Sequence, residues 1–224
     1  MTLKEMLNQV LSETGFDQLE EFIGSTTQEA RQLVALANRE VNTLSKDEWQ
    51  ALRKDATITM TSANKYDLPA DYRQFIPDTA WTETRKADFP TTDEVWQYYL
   101  ARGVSSGLRH RVRIDGGQLE ILDPSPGEVL RIFYISNAPV FTPAELFQKT
   151  FTADNDTLVL DDDLFMLGVI WRFMRAKGLE WQSAYQEYKT FYRSVKATDN
   201  SSQTLAMGEP SDEGPFPPSA NMWL

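Results

Sequence analysis

Apolar residues recur at helical spacing near both ends of this chain and at alternating spacing through its middle. Leu3, Met6, Leu7, Val10 and Leu11 make one stripe three and four residues apart, which predicts a short helix over 2–13. Thr2 and Glu5 stand before it in capping-box spacing, and Gly15 follows it as a stop. Thr26 and Glu29 repeat the capping pattern. Ala30, Leu33, Val34, Ala37, Val41 and Leu44 then share one face, and Asp47 caps a further turn through Trp49 and Leu52, so helix is expected over 26–53.

The middle reads differently. Alternation over Ala56–Met60 predicts a strand, and Asp78–Thr82 a second. Pro69 cannot lie inside a helix but suits the start of a short one. Thr92–Ala101 predicts a helix with Val95, Trp96, Tyr99 and Leu100 as its apolar face. Gly116-Gly117 after Asp115 is a two-residue hairpin turn. Folding about it sets Ile114 against Leu119, Val112 against Ile121 and Arg113 against Glu120, so apolar and charged pairs agree on one register. A third strand is expected over Val129–Ile135.

After the turn-rich link at Phe151–Thr157, Asp161 opens a helix that is apolar nearly all round and ends at Gly178. Ser183 with Gln186 caps a last helix bearing Tyr185, Tyr188, Tyr192 and Val195 on one face. Residues 199–224 carry acids and four prolines but no Lys or Arg, and cannot bury enough to fold alone. Yet they hold Phe216, Met222, Trp223 and Leu224.

Composition narrows the chemistry. The 224 residues are 41% hydrophobic and 12% aromatic, enough for a globular core. There is no cysteine, which excludes disulfides, thiolate metal sites and a Cys nucleophile. The opening MTLKEMLNQVL does not read as a signal peptide, and no apolar run is long enough to span a membrane, so a soluble chain made in a cytoplasm is expected. The net charge of −11 opposes DNA binding by the chain as a whole; solubility alone accounts for such a balance, and the alternative is a surface that passes nucleic acid without holding it.

Candidate reactive groups are few. His110 is the only histidine; between Arg109 and Arg111 it is expected to be a surface strand residue. Arg109, Arg111 and Arg113 form the one basic run, read as a solvated strand face or, alternatively, a phosphate contact. Asp154, Asp156, Asp161 and Asp163 could in principle hold a hard cation, but turn and helix-capping roles account for them as well. No catalytic, cofactor-binding or metal-binding residue is assigned, and the chain is not expected to be an enzyme.

Several short blocks in order then carry a resemblance. They are Trp49-Gln50-Ala51-Leu52, Tyr66-Asp67-Leu68-Pro69-Ala70-Asp71-Tyr72, Asp78-Thr79-Ala80-Trp81, Tyr134-Ile135-Ser136, Phe151–Asp156, and Asp161, Leu164, Trp171-Arg172 and Ala176-Lys177-Gly178-Leu179. Together they resemble the head-to-tail adaptor (connector) proteins of tailed bacteriophages, of the tail tubular protein A or tail accessory factor type. The resemblance covers most of residues 25–195.

It implies an α+β, mainly α fold: a helical bundle from the N- and C-terminal segments, a small antiparallel β-containing insert and an extended C-terminal tail. In residue terms this is an adaptor domain over 1–198, with helical core 1–55 and 160–198 and insert 56–159, followed by an arm over 199–224. It also implies a virion protein of the phage neck. Copies form a ring, usually a dodecamer, that binds the portal protein, gives tail or nozzle proteins a platform and extends the channel through which double-stranded DNA passes during ejection. Phe216, Met222, Trp223 and Leu224 become candidate portal contacts, on an arm that orders when bound. The alternatives are a tail-completion or stopper protein and, from a different class, a carboxylate-metal nuclease.

Overall fold

The computed structural model describes residues 1–89, 91–102 and 109–201. The first part of the chain holds α1 (Leu3–Thr14), α2 (Gln28–Leu44), a single 3-10 turn (Gln50–Leu52) and β1 (Arg53–Thr59). Next come β2 (Lys65–Asp67), β3 (Tyr72–Phe75), β4 (Trp81–Thr82), α3 (Asp93–Arg102), β5 (Arg111–Asp115), β6 (Gln118–Leu122) and β7 (Val129–Ser136). The last part holds β8 (Val140–Phe141), β9 (Phe147–Gln148), β10 (Thr157–Leu158), α4 (Asp162–Lys177) and α5 (Gln182–Ser201).

The helices α1, α2, α4 and α5 share one core. Thr2 and Glu5 close the capping box on α1, and Gly15 ends it at φ 79°. Such a cap is worth about 1 kcal/mol. Leu3, Met6, Leu7, Val10 and Leu11 are then fully buried. On α2 the cap is Thr27 rather than Thr26, its hydroxyl accepting from Ala30 N–H. This helix stops at Leu44, where the Arg73 guanidinium donates to the Ser45 and Asp47 carbonyls at 2.5 and 2.9 Å. Those two bonds satisfy carbonyls that a continued helix would have used, so the chain turns before Trp49. Asp161 caps α4 and Gly178 ends it, as its flanking residues predict. Trp171 on α4 meets Trp181, Tyr185 and Tyr188 in tilted and edge-on ring contacts, which tie α5 beside it.

The middle of the chain builds a second core between two sheets. In the first, β7 pairs with β1 along one edge and with β3 and β4 in turn along the other. In the second, β6 lies between β2 and β5. The β5–β6 hairpin has the register expected from its turn: Ile114 faces Leu119, Val112 faces Ile121 and Arg113 faces Glu120. Gly116 and Gly117 take φ 58° and 81°, the two positive values a type I′ turn demands. Met60, Phe75, Val112, Leu119, Ile121, Leu130 and Ile132 meet between the sheets. Strand β7 belongs to both cores, since Leu130 and Ile132 point into the second and Ile135 into the first. A third sheet, β10–β8–β9, borders the helices.

The expectation of a mainly α chain, a helical bundle with a small β insert, is therefore corrected. The described residues hold five α-helices and ten strands in three antiparallel sheets. Six of those strands have only two to four residues. At that length there is no alternation to read, and pairing with β6, β7 or β8 rather than local pattern makes them strands. No helix begins at Pro69: its carbonyl accepts from Tyr72 N–H at 2.9 Å in a turn, and β3 follows directly. Ser183 does not cap α5. Its hydroxyl and the Gln182 N–H both donate to the Glu180 carboxylate before the helix starts. Helix α5 continues to Ser201, and Asp199 accepts from the Gln50 N–H.

Candidate functional site

The blocks that carry the resemblance come together as polar nodes. The first is centred on Asp71, in the turn before β3. Its carboxylate accepts from Lys54 Nζ on β1, Tyr134 Oη on β7 and Ser136 Oγ on β7, each at 2.8 Å. Its carbonyl accepts from Asn137 N–H at 2.8 Å. Burial alone would raise the Asp71 pKa. The bonds from Lys54, Ser136 and Tyr134 outweigh it and hold the group below the usual carboxylate range. Burial, with the same contact, drives the Tyr134 phenol well above its ordinary value.

The second node is the acidic loop between β9 and α4. Asp154 accepts from the Phe22 and Ile23 N–H groups at 3.0 and 2.8 Å. Backbone carbonyls of Asp156 and Asp154 accept from Leu3 and Lys4 N–H, the first donors of α1. Asp156, 1% exposed, accepts on Oδ2 from Thr152 N–H, Ala153 N–H and Gln148 Nε2. Asp161 caps α4 through Leu164 N–H, and Asp163 lies in that helix's first turn, where negative charge suits the dipole. The carboxylates of Asp154, Asp156 and Asp161 are thus each taken up by backbone N–H groups. Among the described residues, no group of three or more His, Cys, Asp or Glu is arranged to hold a metal ion.

The third node lies between α2, α4 and α5. Glu40 is completely buried. It accepts from Arg172 Nε at 2.5 Å and from Tyr188 Oη at 2.7 Å. A methyl at Gly168 would sit 2.3 Å from Glu40 Oε1, so glycine is what admits the carboxylate between the helices. Burial and the Glu40 charge push the Tyr188 phenol far up. Nearby, Trp49 donates to the Leu44 carbonyl, and Tyr192 donates to Asp47 at 2.8 Å. Burial and that bond push the Tyr192 phenol up to about 12.

Of the basic run, Arg109 is exposed, 3.7 Å from Asp88, whereas Arg111 and Arg113 are neither a solvated face nor a free phosphate contact. Arg113 pairs with Glu120 at 2.7 Å and Asp93 at 2.9 Å and covers the Trp96 ring. Arg111 pairs with Asp88 and lies 4.0 Å from the Tyr99 ring centroid. Arginines of the hairpin thus fasten α3 onto it, and Trp96 is 2% exposed. The expected apolar face of α3 divides: Trp96 and Tyr99 meet the arginines, whereas Val95 and Leu100 are exposed. His110 is also not a surface residue. It is buried, with Nε2 2.9 Å from Glu128 Oε2. That bond, with the Thr82 hydroxyl and the Arg85 charge, holds Glu128 below its ordinary range against the opposing effect of burial. The candidate portal contacts Phe216, Met222, Trp223 and Leu224 lie outside the described residues.

The arrangement couples elements: Asp71, Asp154 and Glu40 each accept hydrogen bonds that tie distant segments together, whereas Asp156 closes its own loop. Glu40 was missed in the sequence although it stands on the apolar stripe between Ala37 and Leu44. A glycine inside the apolar helix α4, four residues before an arginine, was its available signal.

The chain matches the family model described as SU10 adaptor protein over residues 1–208. It belongs to that family, whose role is that of a phage structural adaptor in the virion, in contact with other head and tail proteins. No curated protein matches it.

Proposed function

We propose that the chain is a structural ring subunit of the phage neck, joining the portal to the tail as adaptors of the tail tubular protein A or tail accessory factor type do. The family match across residues 1–208 carries this reading. Ring assembly, twelvefold in this proposal, is supported by apolar side chains that a lone subunit leaves to water. Tyr98 and Leu100 on α3 are 49% and 52% exposed, and Leu146 and Phe147 at the start of β9 are 64% and 46% exposed. The net charge of −11 favours a channel from which DNA slides free. In this reading the chain is not an enzyme, and divalent-cation-dependent DNA cleavage by the purified protein would refute that part.

The portal contact is assigned to the arm that follows α5. The test is co-sedimentation with purified rings of the same phage's portal, comparing the full chain with one ending at Ser201. The full chain is expected to sediment with the portal and the shortened chain to stay behind. Equal sedimentation of both removes the arm from the contact, and sedimentation of neither removes the portal as partner.

A further inference from the structure

A groove of about 310 Å³ runs between α2 and α4, lined by Leu36, Arg39, Trp171, Arg172, Arg175 and Ala176. Three arginines on one groove run against the charge of a chain whose net is −11. Arg172 is committed to Glu40. Arg39 and Arg175 are exposed, and among the described residues neither is paired with a carboxylate. Trp171 is 8% exposed, and its Nε1 donor has no acceptor among the described residues. A buried N–H left without an acceptor is costly, so the groove calls for an occupant that brings acceptors and negative charge. Leu36 and Ala176 add apolar surface for it.

The chain contains such a segment. Residues 202–224 hold Glu209, Asp212 and Glu213 with no Lys or Arg, followed by Phe216. Glu209, Asp212 and Glu213 lie past the residues matched by the family model. Reach is sufficient. Because Trp171 packs on Tyr185, the groove is level with the start of α5, about 24 Å along the helix from Ser201. The stretch from Ser201 to Asp212 can extend about 36 Å.

We propose that, in the free subunit, residues 209–216 of the same chain occupy this groove. The acids accept hydrogen bonds from Arg39 and Arg175, and Phe216 covers Leu36 and Ala176. The arm is then held back until a partner competes for it. This assignment concerns the isolated subunit and stands whether or not the arm's final partner is the portal.

The chain has no cysteine, which allows a clean cross-linking test on the full-length protein. Ala176→Cys and Ser211→Cys are joined with a short bismaleimide, and products are identified by intact mass. The expected product is an internal link within one chain. Arg39→Glu with Arg175→Glu should lower its yield about tenfold, the scale of one lost charge-assisted hydrogen bond. Asp212→Arg with Glu213→Arg should do the same alone, and the four changes together should restore the yield. Yield indifferent to charge reversal, no restoration on the full swap, or products joining two chains would each overturn the proposal.

Discussion

Replacing Gly168 by alanine sets helix propensity against a buried carboxylate. In the middle of α4 an alanine should favour the helix by about 1 kcal/mol. However, the new methyl would lie 2.3 Å from Glu40 Oε1, 2.4 Å from its Cδ and 2.7 Å from its Cγ. Glu40 is completely buried, so it cannot swing into water. Any shift loosens its bonds to Arg172 and Tyr188. Hydrogen bonds to a buried charge contribute about 1.5–3 kcal/mol each, and weakening both should cost about 3 kcal/mol. The net loss of about 2 kcal/mol corresponds to roughly 4–8 °C in Tm for a chain of this size. In a Glu40→Ala background the clash is gone, and the same substitution should raise Tm by about 2–4 °C through propensity alone. Thermal melts of the four proteins in this double-mutant cycle, followed by circular dichroism, decide the matter. Gly168→Ala that stabilises the parent, or that acts equally in both backgrounds, refutes the reasoning.

Other perturbations follow from the same nodes. Asp71→Asn removes the charge that receives Lys54, Tyr134 and Ser136, and should cost about 2 kcal/mol, read as a Tm loss of roughly 4–8 °C. Asp71 and Glu128 both have depressed folded pKa values. Their contribution is therefore full above the unfolded carboxylate value near pH ~4 and lost as pH falls through the folded values. A plot of Tm against pH should drop more shallowly below that point in Asp71→Asn than in the parent; identical slopes contradict the node. Alkaline titration followed at 295 nm should show Tyr134, Tyr188 and Tyr192 ionising above the ordinary phenol value near pH ~10. Ionisation of all eight tyrosines of the folded protein by pH ~10 would contradict this. Arg113→Met removes the partners that hold α3 on the hairpin and should cost about 1–2 kcal/mol, with a red shift of tryptophan emission as Trp96 meets water. An unchanged emission spectrum would show that α3 is held by other contacts.

Short-range signals were legible in the sequence, and long-range ones were not. The Thr2–Glu5 box, the Asp161 and Gly178 caps and the register of the 111–122 hairpin each depend on residues within one turn of chain, and all are found in the structure. The second core was hidden because its strands pair across long separations, such as Arg53 with Ile135 and Tyr72 with Ser136. For the same reason the motif blocks could be recognised without their purpose. Asp71 meets Tyr134 and Ser136 only once β7 is in place beside β3. His110 was misplaced because its arginine neighbours suggested a solvated strand, whereas Glu128, 18 residues on, draws it inward. Helix α3 shows a related error, since only Trp96 and Tyr99 of its apolar stripe are covered, by arginine side chains, while Val95 and Leu100 stay exposed.

Native mass spectrometry of the full chain mixed with its own phage's portal is the decisive test of the neck ring. A ring subunit should give one discrete complex of two stacked rings, with a fixed number of chains per portal. A persistent monomer beside a competent portal ring would contradict it.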